Sequence, residues 1–234
     1  MVGRHTAQWK VSVEEAIELQ RQWARQVCRE RQLPDTVSIV AGLDAAYDGK
    51  NIYGVAVSLR LPSLEVVEST ITICPEEFPY IPGLLSFREA PALLGALQLL
   101  RIRPDVILCD GQGIAHPRRF GIASHIGVLA DIPSIGCAKS LLCGQAEHPA
   151  DTIGATAPVW DRGEVIAFAL RTRSRARPVY VSIGHRVDLH SAVEVVLECC
   201  RGYRLPEPIR LADLLSKRLS QSTRRSHSAI EGAA

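Results

Sequence analysis

Four carboxylates and a lysine sit inside or at the ends of apolar segments of this chain: Asp44, Glu89, Asp110, Asp213 and Lys139. The densest chemistry lies between Pro104 and Ser124. Val106-Ile107-Leu108-Cys109 is a short apolar run that reads as a buried strand; it ends on Asp110 and breaks into Gly111-Gln112-Gly113. His116, Arg118 and Arg119 follow within ten residues, a set of groups suited to phosphate oxygens. An acid delivered to a strand's C-terminal edge, with cations behind it, suggests metal-dependent chemistry on a phosphate ester. The plainer reading is a turn at Asp110-Gly111 and a solvated arginine pair.

The elements that must position these groups follow from the hydrophobic pattern. Ser12 to Arg31 has the spacing of an amphipathic helix and carries no evident chemistry. Val37 to Tyr47 reads as a strand with Asp44 among apolar neighbours, where an unpaired carboxylate is costly and calls for a cation or metal. Ile52–Arg60 and Leu64–Ile73 follow as β-rich runs. Phe78-Pro-Tyr-Ile-Pro-Gly83 is a rigid loop whose two prolines hold Tyr80 at its tip; it reads as a wedge for a base stack or as a plain surface turn. The helix from Leu84 to Leu100 carries Glu89. A start near Ala90 avoids Pro91 in its interior and leaves Glu89 facing the sheet. Ser124–Ala130 is helical, and Ile132–Lys139 is a strand ending on Lys139, a candidate for a scissile phosphate. Residues 144–163 read as loop. Val165–Leu170 and Val179–Ile183 pair across the basic tip Arg171–Arg177, which is either a solvated turn or a backbone contact. Asp188–Cys200 and a last helix bearing Asp213 complete a domain over residues 1–219, with 220–234 read as a disordered tail.

With 234 residues, 47% hydrophobic and 22% charged, the chain is ordinary for a globular protein, and a net charge of +2 excludes a global polyanion binder. No apolar run is long enough to span a bilayer, and Met1–Lys10 lacks a signal-peptide core, so a cytoplasmic protein without membrane contact is expected. Seven cysteines, odd in number and without a CxxC pair, read as small buried hydrophobes.

The order of acids has a meaning. Asp on the first strand, Glu on the first helix after three strands, Asp ending the fourth strand and Asp on a late helix match the ribonuclease-H-like nucleases by analogy. This predicts an α/β fold with a mixed sheet flanked by helices, first and fourth strands adjacent, so that Asp44 and Asp110 meet. Clustered carboxylates need a cation, and oxygen-only ligands favour Mg²⁺, with Mn²⁺ able to substitute.

The chain also resembles the endonuclease V family. The resemblance rests on Ala41-Gly-Leu-Asp-Ala-Ala-Tyr-Asp48, Pro79-Tyr-Ile-Pro-Gly-Leu-Leu-Ser-Phe-Arg-Glu89, Asp110 to Ser124, Ile135-Gly-Cys-Ala-Lys139, Gly184-His-Arg186 and Gly202-Tyr-Arg-Leu-Pro-Glu-Pro208, in order from about residue 12 to about residue 218. It implies a DNA repair nuclease that recognises deoxyinosine and cuts the second phosphodiester bond 3′ to it. By the same resemblance Asp44, Glu89 and Asp110 look like the metal acids, with Asp213 at a position that is His or Asp among members. His116 and Lys139 resemble phosphate-facing groups, and Tyr80 resembles the wedge filling the space of the extruded base. Ile81, Pro82, Gly83 and Leu85, with Gly111, Gly113 and Ile122, are similar to residues facing the lesion. Gln112 departs from the His that many relatives carry, and glutamine cannot titrate. The partner implied is inosine-containing DNA, with inosine in RNA as the alternative substrate, acted on by a monomer; a lesion-binding protein without turnover is the third reading.

Overall fold

Short runs of β-branched and small residues build the first half of a sheet. Strands β1 (Ile39–Tyr47), β2 (Asn51–Arg60) and β3 (Glu65–Pro75) form an antiparallel meander. Asp48 closes its first turn by accepting the Lys50 and Asn51 N–H groups at 2.8 and 2.7 Å. The computed structural model describes residues 9–231, without the side chains of residues 224–231; residues 1–8, on which most of the signal-peptide reading falls, lie outside it. Strands β4 (Val106–Cys109) and β5 (Ser134–Ala138) lie parallel beside β1. The chain then adds β6 (Gln145–Ala146), β7 (Thr156–Asp161), β8 (Glu164–Leu170) and β9 (Val179–His185), giving the nine-stranded order β3-β2-β1-β4-β5-β9-β8-β7-β6. This is the mixed, helix-flanked sheet of the ribonuclease-H-like fold.

Helices cover both faces, and strand alternation decides which residue meets which. Ala41, Leu43 and Ile107 pack against α2 (Leu85–Gln98) and α3 (Ile122–Ala130). Val40, Val106 and Leu108 pack on the other side, where α4 (Leu189–Glu198) and α5 (Glu207–Glu231) bury Val195, Val196, Ile209 and Ala212. Among the described residues no helix is long and apolar enough to cross a membrane.

Four expectations need correction. The first helix, α1, spans only Val13–Trp23, capped by a reciprocal Ser12–Glu15 box, and passes through a 3₁₀ turn at Ala24–Gln26. The chain then extends because it docks on the end of β9. Cys28 N–H donates to His185 Nδ1, Arg186 N–H to Cys28 O and Gln32 N–H to Arg186 O. Helix α2 starts at Leu85, not near Ala90, and keeps Pro91 inside. An interior proline costs about 3 kcal/mol. Burying Leu84 and Phe87, each about 1.5–3 kcal/mol, offsets that, because both side chains are 1% exposed in this geometry. Residues 144–163, read as loop, contain β6 and β7. Pro158 lies on the stretch of β7 that short β6 leaves uncovered, an edge where proline is tolerated. The tail expected to be disordered from residue 220 is instead helical to Glu231. Ser220 and Thr223 satisfy their hydroxyls on the Lys217 and Leu219 carbonyls of the same helix, and Ser220 is buried.

Candidate active site

Parallel pairing of β1 with β4 sets Leu43 opposite Cys109, so the next residues, Asp44 within β1 and Asp110 just past the end of β4, stand side by side. Helix α5 crosses above them and brings Asp213. It is held there by Ser216, whose hydroxyl donates to Asp44 Oδ2 at 2.6 Å. One carboxylate oxygen from each of Asp44, Asp110 and Asp213 lies within 4.8 Å of the other two. Two lysines temper this charge. Lys139 Nζ stands 2.5 Å from Asp110 Oδ2 and 3.0 Å from Asp213 Oδ1, and Lys217 Nζ reaches both Asp213 oxygens at 2.8 and 2.7 Å.

The protonation pattern follows from burial and from where the lysines sit. Burial first, and then Asp110, push the Asp44 carboxyl up to about 7, against the Ser216 hydrogen bond. Burial also works to raise Asp213, but the hydrogen bonds from Lys217 and Lys139 outweigh it and hold that carboxyl below its usual range. Burial opposes the charge on Lys139, yet Asp110 and Asp213 raise it above an ordinary lysine. The donors are all hard oxygens, and Asp44 lacks a full counter-charge. Such a cluster fits a divalent metal ion.

Glu89 stands apart. Tyr47 and Asp44 are three residues apart on β1 and so face opposite sides; Asp44 meets α5, whereas the Tyr47 hydroxyl donates to Glu89 on α2. Burial, then Asp44 and Asp110, hold the Glu89 carboxyl well above its ordinary value. Of the four expected metal acids, three converge and Glu89 lies behind them, close enough to feel their charge.

A cleft of about 320 Å³ opens from this edge. Tyr80, Ile81, Pro82, Gly83 and Leu85 form one wall, with Gly111, His116 and Ile122 on the floor and Asp110 and Lys139 at the acid end. Tyr80 stands at the rim, 66% exposed. Gly113, also expected to face the lesion, does not line the cleft. It is pressed against β9, where an added Cβ would lie 1.9 Å from Ile183 O. Gln112 lines the cleft and donates from Nε2 to Ser140 O at 2.7 Å.

His116 and the arginines behave differently from the sequence reading. The Arg118 N–H donates to His116 Nδ1 at 3.1 Å, so the ring proton is on Nε2, which bonds Gly83 O at 2.9 Å. Burial, despite that bond to Gly83, lowers the imidazole to about 4, which keeps it neutral. Arg118, expected to bind phosphate oxygens, donates to Gly83 O at 2.7 Å and to Gln20 Oε1 at 2.5 Å. Arg119 is spent on Asp161 and Glu164 at 2.7 and 2.8 Å. Both were open to misreading because sequence does not show whether a cation's partner is a phosphate or the protein's own oxygens.

Gln20 was missed. It is fully buried, donates from Nε2 to Gly83 O and Phe120 O at 3.0 Å each, and so ties α1 to the tip loop. Its signal was a polar residue on the apolar stripe between Ala16 and Trp23. Three groups, Gln20, His116 and Arg118, thus converge on one carbonyl. Gly83 itself is at φ +81, which a side chain would strain.

The family model for Endonuclease V matches residues 21–214. An Endonuclease V of Trichormus variabilis is 51% identical over 210 residues, covering 89% of this chain and 95% of that protein. The crystal structure of Endonuclease V from Streptomyces avermitilis superposes with a TM-score of 0.88 at 41% identity, covering 93% of this chain and 96% of that one. That of Ciona intestinalis, in complex with a 24mer DNA containing an inosine followed by a ribo-adenosine, gives 0.80 at 29% identity, covering 90% and 98%. By sequence, fold and the acids at its sheet edge, the chain belongs to the endonuclease V family.

Proposed function

We propose that this protein is a DNA repair endonuclease that recognises deoxyinosine and hydrolyses the second phosphodiester bond 3′ to it. Hydrolysis is metal-dependent, with water attacking in line. One observation carries the reading: Asp110 and Lys139 belong both to the carboxylate cluster and to the cleft beneath Tyr80. A base turned out into the cleft leaves its own strand running past the acids.

The residues divide the work. Asp44, Asp110 and Asp213 hold Mg²⁺, or Mn²⁺ in its place, with Glu89 as the acid behind them. Bound there, such an ion would supply Lewis acidity for activating water and for charge on the leaving oxygen. Lys139 turns its ammonium from the acids to a phosphate oxygen. Gly83 and Gly111 present bare backbone to the base edge, and His116, Arg118 and Gln20 fix the Gly83 carbonyl. Extruding a base costs a few kcal/mol. Stacking on an aromatic returns about 1–3 kcal/mol per base, so Tyr80 in the vacated space offsets much of that cost.

The test is nicking of matched duplexes carrying one central deoxyinosine, one inosine ribonucleotide or neither, with Mg²⁺ or EDTA. We expect metal-dependent cutting at the second bond 3′ to deoxyinosine and none in the control. Cutting confined to the ribonucleotide would move the substrate to RNA. Tight binding with no cut in Mg²⁺, or in Mn²⁺ put in its place, would make the acids structural.

A further inference from the structure

The loop between β8 and β9 is Arg171-Thr-Arg-Ser-Arg-Ala-Arg177, four arginines in seven residues. Strand register fixes the edge from which it leaves. Ala138 of β5 pairs with Tyr180 of β9, and Val179 pairs with Leu170 of β8. The loop therefore projects from the same edge as Asp110 and Lys139. In the sheet β9 lies two strands from β4 and β8 three. At about 4.8 Å per strand the loop stands roughly 10–15 Å from Asp110 along that edge.

The base of the loop is braced. Arg171 donates to Pro149 O at 3.0 Å, to Ala150 O at 3.3 Å and to Ala176 O. Asp151 accepts the Arg175 N–H at 2.7 Å and the Ser174 hydroxyl at 3.3 Å, and lies 3.5 Å from Arg171 Nε. Arg204 donates to Arg177 O, Pro178 O and Lys139 O at 3.0, 2.9 and 2.5 Å, joining the loop to the strand end that bears Lys139.

The tip is the opposite. Arg173, Arg175 and Arg177 are exposed and make no ion pair among the described residues. Arg175 holds φ 58, a left-handed conformation where glycine would turn freely. A braced base with unpaired guanidinium groups on top suits a polyanion, not a solvated turn. We infer that Arg173, Arg175 and Arg177 form a second contact with the phosphate backbone of the substrate. At 3.4 Å per nucleotide, the phosphates gripped lie about three to four nucleotides from the cut. The inference rests on the nuclease reading above and adds to it a grip outside the cleft.

The experiment compares the full chain with its Arg173→Gln/Arg175→Gln/Arg177→Gln variant. Binding to a long deoxyinosine duplex in EDTA is followed against salt, and turnover is measured in Mg²⁺. The slope of log affinity against log salt should fall by about 2–3. Kd near physiological salt should rise about tenfold or more, with kcat at saturating substrate within about twofold. The triple lysine variant should restore the slope, and duplexes trimmed to about two nucleotides beyond the cut should bind both proteins alike. An unchanged slope and Kd on the long duplex overturns the inference. If the unaltered protein nicks no inosine duplex, the nuclease reading fails by itself; the salt slope on unmodified DNA still judges the loop.

Discussion

The two halves of the site are built on opposite electrostatic terms. At the acid edge, three carboxylates lie within 4.8 Å of one another, and among the described residues two cations, Lys139 and Lys217, pair with them. Two full charges at that separation repel by about 3 kcal/mol at an effective dielectric near 20. In the cleft floor the buried polar groups are neutral or internally paired: His116, Gln20 and Arg118 all converge on Gly83 O. One half stores charge for a ligand to complete. The other is paired with itself around Gly83, leaves only Ser86 Oγ and Gln112 Oε1 without a partner among the described residues lining the cleft, and offers shape and backbone instead. Changes at the acid edge should therefore alter rate while leaving the fold alone, and changes in the floor should alter stability first.

The largest effect belongs to the acids. Asp110→Ala should bind inosine duplex while its nicking falls by about 10³-fold or more, on the order of 4 kcal/mol in the barrier. Normal nicking by that variant would remove the acid edge from the mechanism. Asp44→Asn should be equally inactive, yet in EDTA it should melt several degrees above the unaltered protein, because it removes a charge that burial and Asp110 disfavour. A lower melting point would mean the acids are not in conflict without metal, and the contrast between the halves would lapse.

The floor should answer to pH. His116 is held at about 4, below the ordinary 6.5, by burial, with Arg118 and Arg119 adding to it. The unfolded chain thus takes up this proton first as pH falls. Its contribution is intact above pH 6.5, declines between 6.5 and about 4, and levels off below. The full loss is about 3 kcal/mol. Urea unfolding at pH 7 and pH 4.5 measures it: the unaltered protein should lose more stability than His116→Gln. Equal losses would show the imidazole to be solvated. Gln20→Ala comes next, at about 1–3 kcal/mol, since it strips the Phe120 carbonyl and the Arg118 Nε of their buried partner. A several-fold rise in KM should accompany it through looser holding of Gly83; thermal melts and nicking kinetics on one preparation test both.

Legibility divides along the same line. The acid edge could be read because an acid in an apolar run is costly and conspicuous, and the order of acids along the chain implied that the first and fourth strands are neighbours. The floor could not. Arg118 and Arg119 look like phosphate ligands until their partners, Gly83 O and the Asp161–Glu164 pair, are seen across 35 to 45 residues of sequence. Helix α2 begins earlier than local propensity places it, because propensity counts Pro91 against it and does not count the burial of Phe87. Strands β6 and β7 leave no sequence signal, because two residues, and a six-residue run interrupted by Pro158, give too little alternation to register.

The smallest expected change on stability is also the one that separates the halves most cleanly. Tyr80 sits on a wall whose base is fixed by buried hydrogen bonds to Gly83, yet its own ring is 66% exposed. Truncation removes almost no buried area, so Tyr80→Ala should shift stability by less than about 0.5 kcal/mol. If the ring fills the space of an extruded base, the same change should weaken binding of inosine duplex by about 1–3 kcal/mol, roughly 5- to 150-fold in Kd. Phenylalanine should restore most of it, because the stacking face is retained. Loss of stability without loss of affinity would place Tyr80 in the packing of the floor. Loss of affinity alone makes it a rim group held ready for a ligand, as the carboxylates are at the edge.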